Sequence, residues 1–62
     1  MPTYRCFHLD AENHVIDVES DELCDDAAAT AWAWERMAQT AMDCVAVEVR
    51  ELERTVTRLD RT

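Results

Sequence analysis

The sequence predicts a two-layer α+β domain, β-β-α-β-β, with a four-stranded antiparallel sheet in the order 2-1-3-4 and one helix on one face. Three observations predict it. Both ends of the chain, "TYRCFHLD" with "VIDVES" and "VAVEV" with "TVTRL", are rich in strand formers and alternate in polarity. The middle, "DDAAATAWAWERMAQTAMD", is rich in alanine, the best helix former. A single helix can cover one face of such a sheet and no more.

The first two strands are joined by "DAENH". A three-residue loop, Ala11-Glu12-Asn13, fits here, with Asn13 left-handed in a chain that has no glycine. That loop pairs Asp10 with His14, Leu9 with Val15, Phe7 with Asp17 and Arg5 with Glu19. One face then carries Tyr4, Cys6, His8, Ile16 and Val18. The other carries Arg5, Phe7, Leu9, Val15, Asp17 and Glu19, and the Arg5–Glu19 pairing supports the register.

The helix starts where Asp25 or Asp26 can accept hydrogen bonds from its first amides. On a helical wheel Ala27, Ala31, Trp34, Ala38 and Ala41 form one stripe, flanked by Met37 and Met42. Trp32 falls opposite, beside Arg36, Gln39 and Asp43. Trp34 is therefore expected in the core and Trp32 outside.

In the second hairpin Val45, Val47 and Val49 face inward, Ala46 and Glu48 outward. A turn at Leu52-Glu53-Arg54 sets Val49 opposite Thr57, Val47 opposite Leu59 and Glu48 opposite Arg58. The helix makes a right-handed crossover between strands 2 and 3. The expected core is Tyr4, Cys6, Ile16, Val18, Leu23, Ala27, Ala31, Trp34, Ala38, Ala41, Val45, Val47, Val49 and Leu59.

Sixty-two residues make one domain, and a chain of this size buries only about 60% of its unfolded surface. Stability then calls for dense packing, a staple or a partner subunit. The net charge is −8, and residues 10–26 hold acids but no Lys or Arg. That balance argues against nonspecific binding to nucleic acid or to a membrane surface, which takes basic patches. The opening "MPTYRCFHLD" lacks the basic and apolar regions of a signal peptide, so a cytoplasmic location is expected.

The "MPxYxxxHLD" opening, the acidic stretch before an Ala-rich helix and the closing "AVEVRE" and "TV" resemble a family of short bacterial proteins. Members, of alphaproteobacterial type, typically begin "MPRYFFHL" and have a helix rich in "EAARAEA". The resemblance spans nearly the whole chain. It departs at Arg5 and Cys6, where the family often has aromatics, and at both hairpin glycines, which are missing here. It implies the fold and a bacterial cytoplasm, and no activity.

Cys6 and His8 share one strand face, and Cys44 opens the strand expected beside it. With Cys24 or water as a fourth ligand these residues are the candidate zinc site. Paired CxxC or HxxxH spacing is absent, so the expectation is no metal and no cofactor. Cys6 with His8 or His14 is the candidate nucleophilic pair, but acidic surroundings and burial disfavour a thiolate, so the chain is not expected to be an enzyme. "DVESDELCDD" lacks the glycine of a calcium loop, and its acids are expected to guard the edge of strand 2. What remains is surface. Trp32 with Arg36 on the helix, and Phe7, Leu9, Val15 and Val56 on the uncovered sheet face, form the expected interface. The chain is accordingly expected to be an interaction module, self-associating as a homodimer or binding a protein partner. The alternative is a small metal- or thiol-sensing domain using Cys6, His8 and Cys44.

Overall fold

The computed structural model describes residues 1–40 and 43–61. The elements follow the expected order: β1 (Thr3–Leu9), β2 (Val15–Glu22), α1 (Asp26–Gln39), β3 (Ala46–Glu51) and β4 (Arg54–Asp60). The strands pair antiparallel in the order β2-β1-β3-β4, with α1 over β3 and β4. Among the described residues no helix is long and apolar enough to cross a membrane.

The first turn forms as its residues dictate. Asn13 is left-handed at φ 65°, and the Asp10 amide donates to the His14 carbonyl. The Asp10 carboxylate also accepts from the Glu12 and His14 amides, so one side chain fixes the loop. Leu9 pairs with Val15 as expected, but a bulge at Ile16 then shifts the register by one. Phe7 lies opposite Val18 and Arg5 opposite Ser20, in place of the expected Asp17 and Glu19. One extra residue swaps every later side chain to the other face. Ile16 and Val18, expected in the core, are exposed, and Glu19 shares the helix-side face with Cys6 and His8.

Asp25 is the N-cap of α1, accepting from the Ala28 amide at 2.9 Å. The helix ends at Gln39, with Thr40 as its C-cap, short of the expected Asp43. Its buried face is Ala29, Ala33 and Met37, turned about a third of a revolution from the expected stripe and sharing with it only the flanking Met37. Ala27, Ala31, Trp34 and Ala38 face outward, with Trp34 61% exposed. Ala41 and Met42 lie outside the described residues. Alanine occupies both sides of this helix, so hydrophobicity alone does not orient it. The flanking long side chains do: Trp32 packs on the core, Arg36 reaches Glu19, and Thr40 meets His8. The tryptophans therefore exchange their expected places.

In the second hairpin Val47–Leu59, Glu48–Arg58 and Val49–Thr57 pair as expected. The turn is tighter than expected: Glu51 pairs with Arg54 across Leu52-Glu53, and Leu52 is left-handed at φ 55°. A bulge at Val56 absorbs the difference and turns that side chain onto the core instead of the open face. The core is Tyr4, Cys6, Ala29, Ala33, Met37, Cys44, Val47 and Val49, with Leu23, Trp32, Val56 and Leu59 packed on it. Val45 is only half-buried, whereas Ala46, expected outward, is buried, as is Leu9.

Candidate functional site

His8 is the one buried polar residue among those described. Strand alternation puts it on the helix side of β1, where its ring meets three other segments. Nε2 lies 2.7 Å from Glu19 Oε2 on β2. Nδ1 lies 3.1 Å from Thr40 Oγ1 at the end of α1, and 3.8 Å from Cys44 Sγ before β3. The Cys44 thiol donates to the Ala46 carbonyl at 3.3 Å. An ionised carboxylate only accepts, so Nε2 donates to Glu19; in the neutral imidazole Nδ1 is then the acceptor and the Thr40 hydroxyl its donor.

Glu19 also holds Arg36, whose Nε lies 3.4 Å from Oε2. That atom is buried with no aligned hydrogen-bond partner, so the contact is one of charge. Arg36 Nη2 donates to Gln39 Oε1 at 2.9 Å. These groups floor an open cleft of about 390 Å3, which Ile16, Asp17 and Asp43 complete. The cleft exists because α1 lies over β3 and β4 and leaves β2 exposed apart from half-buried Glu19.

Of the expected metal and thiol residues, the structure brings His8 and Cys44 into contact. Cys6 and Cys44 are buried, and Cys24 is exposed. Burial, reinforced by the charge of Glu19, pushes the Cys6 thiol up to about 11. A thiol so held is protonated at neutral pH and a poor nucleophile. Among the described residues no group of three or more His, Cys, Asp or Glu is placed to hold a metal ion. Glu19 and Thr40 have no counterpart among the candidates read from the sequence. A one-residue bulge decides which face Glu19 joins, and the end of a helix decides where Thr40 stands.

A second polar cluster, around Asp26, pins the start of α1. Arg54 donates to both Asp26 oxygens, at 2.8 and 2.9 Å, and the Tyr4 hydroxyl donates to Asp26 Oδ1 at 2.9 Å. The Arg54 hydrogen bonds, with that of Tyr4, hold the Asp26 carboxyl down at about 2.

Two apolar surfaces stay uncovered. On the open sheet face Phe7 pairs with Val18 and Leu9 with Val15; Val15 is 54% and Val18 47% exposed. Arg5, Arg50 and Arg58 surround them, with Glu22, Glu48 and Asp60. Arg58 lies 3.6 Å from both Glu48 and Asp60. On the helix, Trp34 is the outward aromatic. Of the expected interface residues, Phe7 and Val15 lie accessible on the open face, whereas Leu9 lies on that face but is buried. Trp32 and Val56 pack on the core, and Arg36 lines the cleft. The outer strand is closed off locally: Asp17 accepts from the Val18 amide at 2.9 Å and Asp21 from the Glu22 amide at 2.8 Å.

No family model matches the chain, and no curated protein or solved structure matches it.

Proposed function

We propose that the chain is a small interaction module that self-associates as a homodimer through the open face of its sheet. The observation that carries this reading is the charge of that face. Three arginines balance three acids there, on a chain of net charge −8. Two copies repel one another over the rest of their surface, and the neutral face with Phe7, Val15 and Val18 is where they can meet. A two-fold axis puts the same patch, with its arginines and acids, on both sides. Free thiols suit a reducing compartment, which supports the cytoplasm as its place.

Sedimentation velocity over a range of concentrations tests it. A dimer is expected, and Phe7→Ser or Val18→Asp should leave a folded monomer. Loss of the dimer with Trp34→Ala instead would move the contact to the helix. A monomer at every concentration would sink the proposal.

A second reading, a small metal- or thiol-sensing domain, has one observation in its favour: Cys44 Sγ lies 3.8 Å from His8 Nδ1. It predicts a zinc adduct or an oxidised thiol by native mass spectrometry, abolished by Cys6→Ser with Cys44→Ser while association persists.

A further inference from the structure

The His8 cleft lies on the helix side of the sheet and plays no part in self-association through the open face. Its floor orders three groups in series: the Glu19 carboxylate, the His8 imidazole and the Thr40 hydroxyl, at 2.7 and 3.1 Å. A nucleophile bonded to a base, with the base bonded to a group that orients it, is the arrangement that activates a hydroxyl. We infer that this cleft is an acyl-transfer site for small polar esters, with Thr40 as nucleophile, His8 as general base and Glu19 as its positioning residue.

Three features support the assignment. The geometry suits the required tautomer, since a neutral His8 that donates Nε2–H to Glu19 leaves Nδ1 to receive the proton of Thr40. The Cys44 thiol, the other neighbour of Nδ1, is fully buried and bonded to a carbonyl, whereas Thr40 is half-exposed and lines the cleft. Arg36 and Gln39 bring further N–H groups to the same cleft, the kind of donor that a developing oxyanion needs. A volume of about 390 Å3 is at the small end for ligand sites, and the polar lining selects a short, polar acyl group.

The step balances without a cofactor. Thr40 Oγ1 attacks the ester carbonyl carbon and its proton passes to His8 Nδ1. The tetrahedral adduct collapses, the C–O bond to the alcohol breaks, and the departing oxygen takes that proton. Water then attacks the acyl-threonine by the same route, giving the carboxylic acid and restoring Thr40.

The probe is p-nitrophenyl acetate on the whole chain, with nitrophenol release followed by absorbance and the acetylated peptide located by mass spectrometry after acid quench. Acetyl on the peptide containing Thr40 is expected. Thr40→Val, which keeps the side-chain shape, should remove the adduct. His8→Gln should slow release by at least about 100-fold, the usual worth of a general base. His14→Gln, at a ring 72% exposed, should change nothing. Release that survives Thr40→Val but is lost in His14→Gln, or an adduct elsewhere than Thr40, would overturn the inference. Should His8→Gln fail to fold, Thr40→Val decides alone. Sedimentation of Thr40→Val, expected to be unchanged, keeps this result separate from that on self-association.

Discussion

Glu19 Oε2 lies 2.7 Å from His8 Nε2, although the residue facing Glu19 across the sheet is Cys6. The carboxylate leans two pairs along β1, to the next residue on the same face, to reach the imidazole. In doing so it joins the uncovered strand to the core and, through Arg36, to the helix.

Removing that carboxylate strands a buried donor. Glu19→Ala leaves His8 Nε2–H, on a side chain 4% exposed, without its acceptor. The expected loss is about 1–3 kcal/mol, toward the low end because water can enter the cleft. Urea denaturation measures it. Glu19→Gln retains an acceptor oxygen and should lose less. Wild-type stability in the alanine variant would show that the contact carries no weight.

The two tryptophans separate by role. Trp32→Ala opens a gap against the core and should cost about 2 kcal/mol, below the ~3–5 of a fully buried aromatic. Trp34→Ala should change stability by no more than about 0.5 kcal/mol. Fluorescence gives an independent check. Trp34→Phe leaves a blue-shifted emission shielded from acrylamide, and Trp32→Phe leaves a red-shifted, quenchable one. The opposite pattern would put Trp34 in the core.

Acid should weaken the fold through Asp26. Its folded carboxyl is held at about 2, below the ordinary 3.8, first by Arg54 and then by Tyr4. A depressed carboxyl contributes stability above its unfolded value. The contribution is lost as pH falls from 3.8 through about 2, because the unfolded chain binds the proton first. Asp26→Asn should flatten the acid limb of a stability–pH curve and leave the rest parallel. An unchanged acid limb would rule Asp26 out as its source.

Thiol chemistry should distinguish Cys24 from the other two. Exposed Cys24 is expected to react with Ellman's reagent in the folded chain, and buried Cys6 and Cys44 only as the chain unfolds. Cys6, raised to about 11 from 9.0 chiefly by burial, contributes stability that is present below pH 9 and lost as pH rises through about 11. Fast reaction of all three at pH 8 would contradict the packing.

The outer strand should be prone to pairing once its caps are gone. Asp17 and Asp21 occupy the Val18 and Glu22 amides, which an added strand would otherwise recruit. Asp17→Ala with Asp21→Ala should raise light scattering and thioflavin binding with concentration. Asn at both positions keeps the acceptor and should scatter less. A clear solution of the alanine variant would assign edge protection to net charge instead.

Sequence alone determined the element order, the strand order, the left-handed Asn13 and the pairing of Val47, Glu48 and Val49 with β4. Each rests on a local signal: an alternation of period two, an alanine run behind an Asp cap, or a residue tolerant of positive φ. Only the tertiary structure decided which faces those elements use. The bulge at Ile16 carries a single extra residue that no neighbouring side chain announces, yet it moves Val18 outward and Glu19 inward. The helix has alanine on both sides, so its orientation falls to Trp32, Arg36 and Thr40, whose partners are tens of residues away or on another strand. The His8 cluster depends on both decisions. Its members lie far apart in the chain, and the physical reason they meet is that a one-residue slip and a rotation of the helix by about a third of a turn each convert a surface residue into a neighbour of the same buried ring.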